Sequence, residues 1–540
     1  MTNTWLVLLP TIIVIVAAFT IRKLNTSLTI GIICAALIAT NFYIPNTARL
    51  ILRRLIDRLT DSEQLLTFGF LLVIGALITL LSITGGAAAF ARKISHKLKN
   101  ARSAESSSIL LSFALFIDDY MSNLTVGYVM RPLTDKFKIP RAKLAYLVHS
   151  LTGPLIIIAP ITSWSAMITG QLDAAGIGTN LADQVKILAD PYYVYLQSIP
   201  FIFYSFLTIA SVFFIVRKRI SFGPMARHED VAKESGNLLG GKKEVKIKKE
   251  KHQNNQGELI DLFFPLGALI ASIVIGILFG GGFWLFGGTK GLLEALRSNA
   301  NPFLTLLISS LITLGISIIF AFFRKNITLP KIPTIAWGSA KIMYEPIVML
   351  TLATTLGLLM REDLNTGGYL ASVLVGSFSI KLLPLMLFIA ATISGLATGT
   401  SWGTIALLTP IAVPLVTSLA QIPTPTAIGN ISILLPVLGA IFSGAVCGDH
   451  ISPISETTIM ASMSSGSNPV DHTYTQLPYA IPAIICSGLA FLMAGYLSGY
   501  GKWISIFVPI ATSLIVCLSM LYLLSHKKKN TQKQAITTSN

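Results

Sequence analysis

Long apolar runs separated by short polar stretches recur along the chain from Trp5 to Leu524. A hydrocarbon core about 30 Å thick takes about 20 helical residues to cross, and backbone groups in lipid must be satisfied within their own segment. The pattern predicts spanning helices over about 5–21, 26–43, 66–86, 142–169 and 198–216, then 259–286, 302–323, 343–360, 430–460, 478–498 and 503–525, eleven in all. Two further apolar regions, 106–130 and about 369–415, do not fit as simple spans.

Charge explains the first of these. It is flanked by Arg92, Lys93, Lys97, Lys99 and Arg102 on one side and by Arg131, Lys136, Lys138, Arg141 and Lys143 on the other. Basic flanks mark the cytoplasmic face, so the segment enters and leaves on one side. It reads as a re-entrant hairpin with its tip near Asp118 to Asn123, a shape tolerated where protein or a watery cavity covers it. The topology then closes with the N-terminus outside and the C-terminus cytoplasmic. Segment 217–257, with eleven Lys/Arg against five Asp/Glu, falls inside, as do 324–341 and the tail at Lys527 to Lys529. The stretch 44–64, with Arg49, Arg53, Arg54 and Arg58, falls outside against the rule; its acids and amphipathic pattern suggest an interfacial helix.

Composition fits this class. The 540 residues are 53% hydrophobic and 12% charged, where soluble domains carry about 25% charged residues. The net charge of +17 comes from clusters between apolar runs, and no aromatic-interleaved basic groove accompanies them, so no nucleic-acid partner is expected. Cys34, Cys447, Cys486 and Cys517 lie in apolar segments as small buried hydrophobes, with neither disulfide nor resident metal inferred. The first run lacks a basic leader and reads as a retained helix.

The organisation is an all-α polytopic membrane protein built as an inverted repeat, with about eleven transmembrane helices, two re-entrant hairpins and two discontinuous helices. Residues 1–216 form the first repeat, 217–257 a flexible basic cytoplasmic linker, 258–500 the second repeat, and 501–540 a last helix and basic tail. "APITSW" (159–164) and "SPISET" (452–457) fall at matching places, each after an apolar hairpin. Five spans before the linker turn the second half over, as in inverted-repeat transporters.

Ionisable groups at membrane depth are costly and point to function. Asp118 and Asp119 close the run "ILLSFALFIDDYMSNLTVG" (109–127); one of them could simply cap the following half-helix. "SGLATGTSWGT" (394–404) offers hydroxyls, including Thr400 and Ser401, on glycine-broken backbone. A hard cation wants such oxygens, although small residues also permit close helix packing. The sharpest group is "SGAVCGDHISPISETT" (443–458), with Asp449, His450 and Glu456 around a break expected at Gly448 and Pro453. Burial raises a carboxylate's proton affinity and a bound cation lowers it, so protons and cations would compete there; the simpler reading is a buried acid satisfied by His450 or a hydroxyl. His149, ahead of Gly153 and Pro154, is a secondary candidate.

At these residues the chain resembles the NhaC family of sodium/proton antiporters, in the wider ion transporter superfamily. The matching pieces are "DDYMSNLTVGYVMRPLTDKFKIPRAKLAYLVHS" (118–150), "APITSW" (159–164), "ATGTSWGT" (397–404), "GDHISPISETTIMAS" (448–462) and "TQLPYA" (475–480). The resemblance implies sodium/proton exchange and carries roles to Asp118, Asp119 and Asn123 in the first hairpin, Thr400 and Ser401 in the second, and Asp449, Ser452, Ser455 and Glu456 in the broken helix. His149 stands where similar proteins tend to carry an acid. The expectation is a secondary transporter of the inner membrane, not an enzyme, that moves sodium or lithium against protons by alternating access. The sodium site is expected among Asp449, Glu456, Ser455 and Thr400. No cofactor is expected beyond the transported Na+ and H+; the partners are the lipid bilayer and these ions, and a homodimer is left open. The alternative is a sodium- or proton-coupled carrier of a small carboxylate or amino acid.

Overall fold

A computed structural model describes the chain except residues 1–3, 22–23, 96–97, 117–118, 180–184, 243–256, 293–294, 296–301, 367–368, 370–378, 454 and 539–540. Among the described residues the fold is almost entirely helical. The helices of the first half are α1 (Leu9–Ile21), α2 (Leu24–Ala39), α3 (Ile44–Leu59), α4 (Ser62–Thr84), α5 (Gly86–Ser95), α6 (Ala101–Ala114), α7 (Asp119–Lys136), α8 (Arg141–Ile158), α9 (Ser163–Ala174), α10 (Pro191–Ser198), α11 (Phe203–Lys218) and α12 (Gly223–Ser235). Those of the second are α13 (Ile260–Gly280), α14 (Pro302–Phe323), α15 (Ile332–Leu358), α16 (Leu383–Thr398), α17 (Ser401–Leu419), α18 (Leu434–Ile451), α19 (Glu456–Ser465), α20 (Pro469–Leu497) and α21 (Lys502–Thr538). Among the described residues, seven helices are long and apolar enough to cross a membrane, or nine if each of two bent pairs counts as one. The chain is a multi-pass membrane protein.

The helices buried deepest are those with the most small and polar residues. The sampled window of α18 is 94% buried and that of α17 89%, against 33% for α14 and for α21, whose apolar surfaces face outward. Two helix-turn-helix units, α6–α7 and α16–α17, each precede a broken helix, α8–α9 and α18–α19. The α8–α9 pair bends by 51°. Its break falls at Ala159 to Thr162, and the second at Ser452 to Ser455. The second break falls at Pro453, as expected, while Gly448 lies inside α18; Pro154 likewise lies inside α8, ahead of the first break.

Gly448 serves packing instead. A Cβ there would sit 2.4 Å from the Thr392 carbonyl oxygen and 2.6 Å from the Leu396 nitrogen, and one at Gly444 would sit 2.5 Å from the Phe388 oxygen. Gly395 answers from α16, its Cβ position 2.9 Å from the Ala445 oxygen. Backbone lies on backbone along α16 and α18, the close approach that small residues permit. This seats the α16–α17 turn, where Gly399 takes φ +67°, beside the second break.

Three features add to the sequence pattern. The linker is not loose from its start: α12 buries Glu229 against Lys143 of α8, and Glu105 of α6 pairs with Lys143 at 3.3 Å and with Arg219 at 2.5 Å. The amphipathic stretch 44–64 carries helix α3, in which Arg54 grips Asp363 at 2.9 Å and Glu362 at 2.7 Å in the π-helical turn Leu359–Asp363. A small parallel sheet also joins the halves, β1 (Ile177–Gly178), β2 (Ile187–Leu188) and β3 (Thr426–Ala427), in that order.

Candidate functional site

The polar core gathers on the second helix break. Asp449, buried on the last turn of α18, accepts from Ser455 Oγ at 2.5 Å on Oδ1 and from Thr457 Oγ1 at 2.8 Å on Oδ2. Ser455 is the N-cap of α19, so helix termination delivers the hydroxyl to the carboxylate. The two hydroxyls lie 2.7 Å apart. Ser401, brought in by the α16–α17 turn, donates to the Ala445 carbonyl at 3.3 Å, one turn before Asp449 on α18. Among the described residues, every hydrogen bond to the Asp449 carboxylate comes from a neutral hydroxyl.

Thr457 extends the cluster. Its Oγ1 lies 3.0 Å from His149 Nε2, and His149 Nδ1 lies 3.1 Å from His472 Nε2 and 3.3 Å from Gln476 Nε2. A hydroxyl has one hydrogen. When Thr457 gives it to an ionised Asp449, Thr457 must accept from His149, which places the His149 hydrogen on Nε2 and leaves Nδ1 to accept from His472 and Gln476. Donors then point one way, from α20 through α8 to the carboxylate. When Asp449 carries a proton, Thr457 turns its hydrogen to Ser455, and His149 keeps its tautomer.

His450 belongs to a separate branch. Its Nε2 lies 2.8 Å from Ser150 Oγ, its Nδ1 2.6 Å from Tyr204 OH, and its backbone carbonyl accepts from Gln476. The His149 and His450 rings meet edge to face at 4.9 Å. Asp449 is thus satisfied by hydroxyls and not by its sequence neighbour.

The other expected residues fall around this centre. Ser452 donates to the Leu396 carbonyl at 2.9 Å, tying the break to α16. Thr400 is the N-cap of α17, accepting from Gly403 N, and its carbonyl accepts from Thr404 at 3.0 Å. Asp119 is buried in the first turn of α7. Asn123 is buried a turn further on; its carbonyl accepts from Ser464 at 2.8 Å, and its carboxamide atoms have no hydrogen-bond partner among the described residues. Asp118 lies outside the described residues. Glu456 stands on the exposed side of the first turn of α19, outside the hydroxyl cluster but near enough for its charge to be felt at Asp449. Thr457, Tyr204, Ser150, His472 and Gln476 received no role from sequence, although Ser150, Thr457 and Gln476 lie within the matching pieces.

A helical membrane protein in which a buried acid and hydroxyls meet at a broken helix beside a helical turn has the build of a secondary transporter. The sequence model of the Na+/H+ antiporter family matches residues 155–496, and the chain belongs to that family. It is 30% identical over 518 residues to a Haemophilus influenzae protein described as uncharacterized, covering 95% of this chain and 94% of that one. A stretch of 112 residues is 34% identical to the malate-2H(+)/Na(+)-lactate antiporter of Bacillus subtilis, 21% of each chain. The fold is similar to the crystal structure of the Alcanivorax borkumensis YdaH transporter, with TM-score 0.51, 11% identity and coverage of 82% of this chain and 90% of that one.

Proposed function

We propose that this transporter exchanges sodium or lithium for protons by alternating access, with Asp449 as the group for which the two ions compete. The observation that carries the reading is the Asp449 environment: a buried carboxylate at a helix break, hydrogen-bonded by the neutral hydroxyls of Ser455 and Thr457. An ionised carboxylate with hydroxyl oxygens around it suits a partly dehydrated sodium ion. A proton and the cation would occupy the same carboxylate oxygens in turn. A permanent Lys or Arg partner would remove that competition.

The first hairpin completes the site with Asp118, Asp119 and Asn123, the second adds Thr400 and Ser401, and Glu456 contributes its field at the edge. The two hairpin and broken-helix units form an inverted repeat, and their rocking exposes the site to each face in turn. The protein lies in the inner membrane with its N-terminus outside and with the basic linker and tail in the cytoplasm.

The test is dequenching of a pH-sensitive dye in everted vesicles on adding NaCl, LiCl or KCl. A sodium- or lithium-dependent signal that Asp449→Asn abolishes is expected. Absence of any cation response would overturn the exchange reading and turn attention to small carboxylates and amino acids as cargo.

A further inference from the structure

Helices α9 and α17 begin alike. Thr162 and Thr400 are their N-caps, and a tryptophan follows each two residues later, at Trp164 and Trp402. The two rings meet edge to face, with centroids 6.2 Å apart and planes at 81°. Two turns further along the same face of each helix stand Gln171 and Thr409. The four side chains therefore lie on two facing stripes, one from each half of the chain.

Their polar atoms are unspent. Nε1 of both tryptophans, Nε2 and Oε1 of Gln171 and Oγ1 of Thr409 have no hydrogen-bond partner among the described residues. All four residues are sealed, at 1%, 7%, 0% and 0% exposure for Trp164, Trp402, Gln171 and Thr409. Other polar groups on the same helices are satisfied: Thr169 donates to the Ser165 carbonyl at 2.6 Å, Ser165 closes a capping box with Thr162, and Thr417 donates to the Pro414 carbonyl at 3.0 Å. The orphans are confined to the facing stripes. Pro410 has no N–H, which frees the carbonyl of Ala406 on the stripe between Trp402 and Thr409.

Buried polar groups without partners are unfavourable. Five such atoms in one seam between two helices mark a surface that meets water in another arrangement, as interfaces with two discrete packings do. The position of the seam says which one. It starts at the α8–α9 break and the α16–α17 turn, beside the candidate site, and α9 and α17 lead on to β1 and β3 of the sheet that joins the halves. The linker is at the other end of the broken helix, where the Arg141 nitrogen that opens α8 donates to the Leu238 carbonyl at 3.0 Å.

We propose that the halves part along the α9–α17 seam, and that Trp164, Gln171, Trp402 and Thr409 line the hydrated route by which monovalent cations pass between the central site and the face opposite the linker. The inference rests on the transport reading. The indole edges supply hydrogen bonds to water, and Gln171, Thr409 and the Ala406 carbonyl supply oxygens to a cation that keeps part of its shell.

The test places one cysteine at a time, Gln171→Cys, Thr409→Cys or Ile411→Cys, in a chain whose four native cysteines are replaced by alanine. Each protein is exposed in membranes to an impermeant quaternary-ammonium thiosulfonate from one face. Thiol attack needs access, so the first two are expected to react from the face opposite the linker about tenfold faster than the Ile411→Cys protein, whose cysteine lies on the far side of α17. Equal, slow reaction at all three, with complete reaction after unfolding in detergent, overturns the seam. Hydroxyl-radical labelling of Trp164 and Trp402 in the unaltered protein repeats the question without substitution; protection of both during cation gradients also overturns it. Dye-monitored exchange in the same vesicles separates the two ideas. Exchange with unreactive cysteines discards the seam alone, and reactive cysteines without exchange keep the route and discard sodium/proton exchange.

Discussion

Thr457 controls the polar core residue by residue, since among the described residues it alone bonds both to Asp449 and to His149. Replacing it with valine leaves an Asp449 oxygen without its donor, and a hydrogen bond to a charged group contributes about 1.5–3 kcal/mol. Thr457→Val is expected to raise the sodium KM by roughly tenfold to a hundredfold, with Thr457→Ser close to the native value, read as cation-dependent dye recovery in proteoliposomes. His149→Leu removes a donor one step further away and is expected to raise KM by about tenfold, with partial recovery in His149→Gln, whose amide can still donate. Asp449 and Ser455 were legible because a charged residue and a capping serine sit within one short motif, and a break in an apolar helix announces both. Thr457 was less legible because a threonine beside an acid carries no signal of its own. His472 lies on α20, and only the fold brings it to His149, 323 residues away along the chain.

At the scale of elements, the site depends on how closely α16 meets α18. A methyl group at Gly448 would collide with backbone atoms of Thr392 and Leu396, which cannot rotate aside. Overpacking of this kind costs about 1–3 kcal/mol, so Gly448→Ala is expected to lower the unfolding midpoint in detergent and to weaken sodium coupling by displacing Ser401. An unchanged midpoint with unchanged exchange would contradict that dependence. Apolar runs and basic flanks made the helices and the two helix-turn-helix units readable. Pro453 marked the second break, but the first was harder to place, because proline is also accommodated inside α8, α17 and α20, and glycine inside α18 serves contact between helices. The breaks are set by Thr162 and Ser455, capping residues whose pull on the chain is visible once the helices are placed.

Across the whole molecule, the charged knot of Glu105, Lys143, Arg219 and Glu229 ties the linker helix α12 to α6, α8 and α11. Burial pushes the Glu229 carboxyl up, but the ammonium of Lys143 beside it prevails and holds it below its ordinary value of 4.5. A carboxyl held low in the folded state contributes stability that is present above pH 4.5 and lost as pH falls below it. Proteolysis within α12 is therefore expected to accelerate on acidification below that value. Glu229→Gln leaves Lys143 buried with one partner fewer and is expected to destabilise by about 3 kcal/mol, lowering the unfolding midpoint and exposing α12 to protease at neutral pH. The basic linker was visible as a charge run. Its docked helix was not, since Glu229 is one acid among many bases until Lys143 is seen beneath it.

Competition at Asp449 is the central claim, and it is tested most directly by proton release from purified protein in weakly buffered detergent solution on adding NaCl. Release that saturates with sodium and disappears in Asp449→Asn is the predicted result. Sodium binding without release, or release that persists in Asp449→Asn, would contradict it.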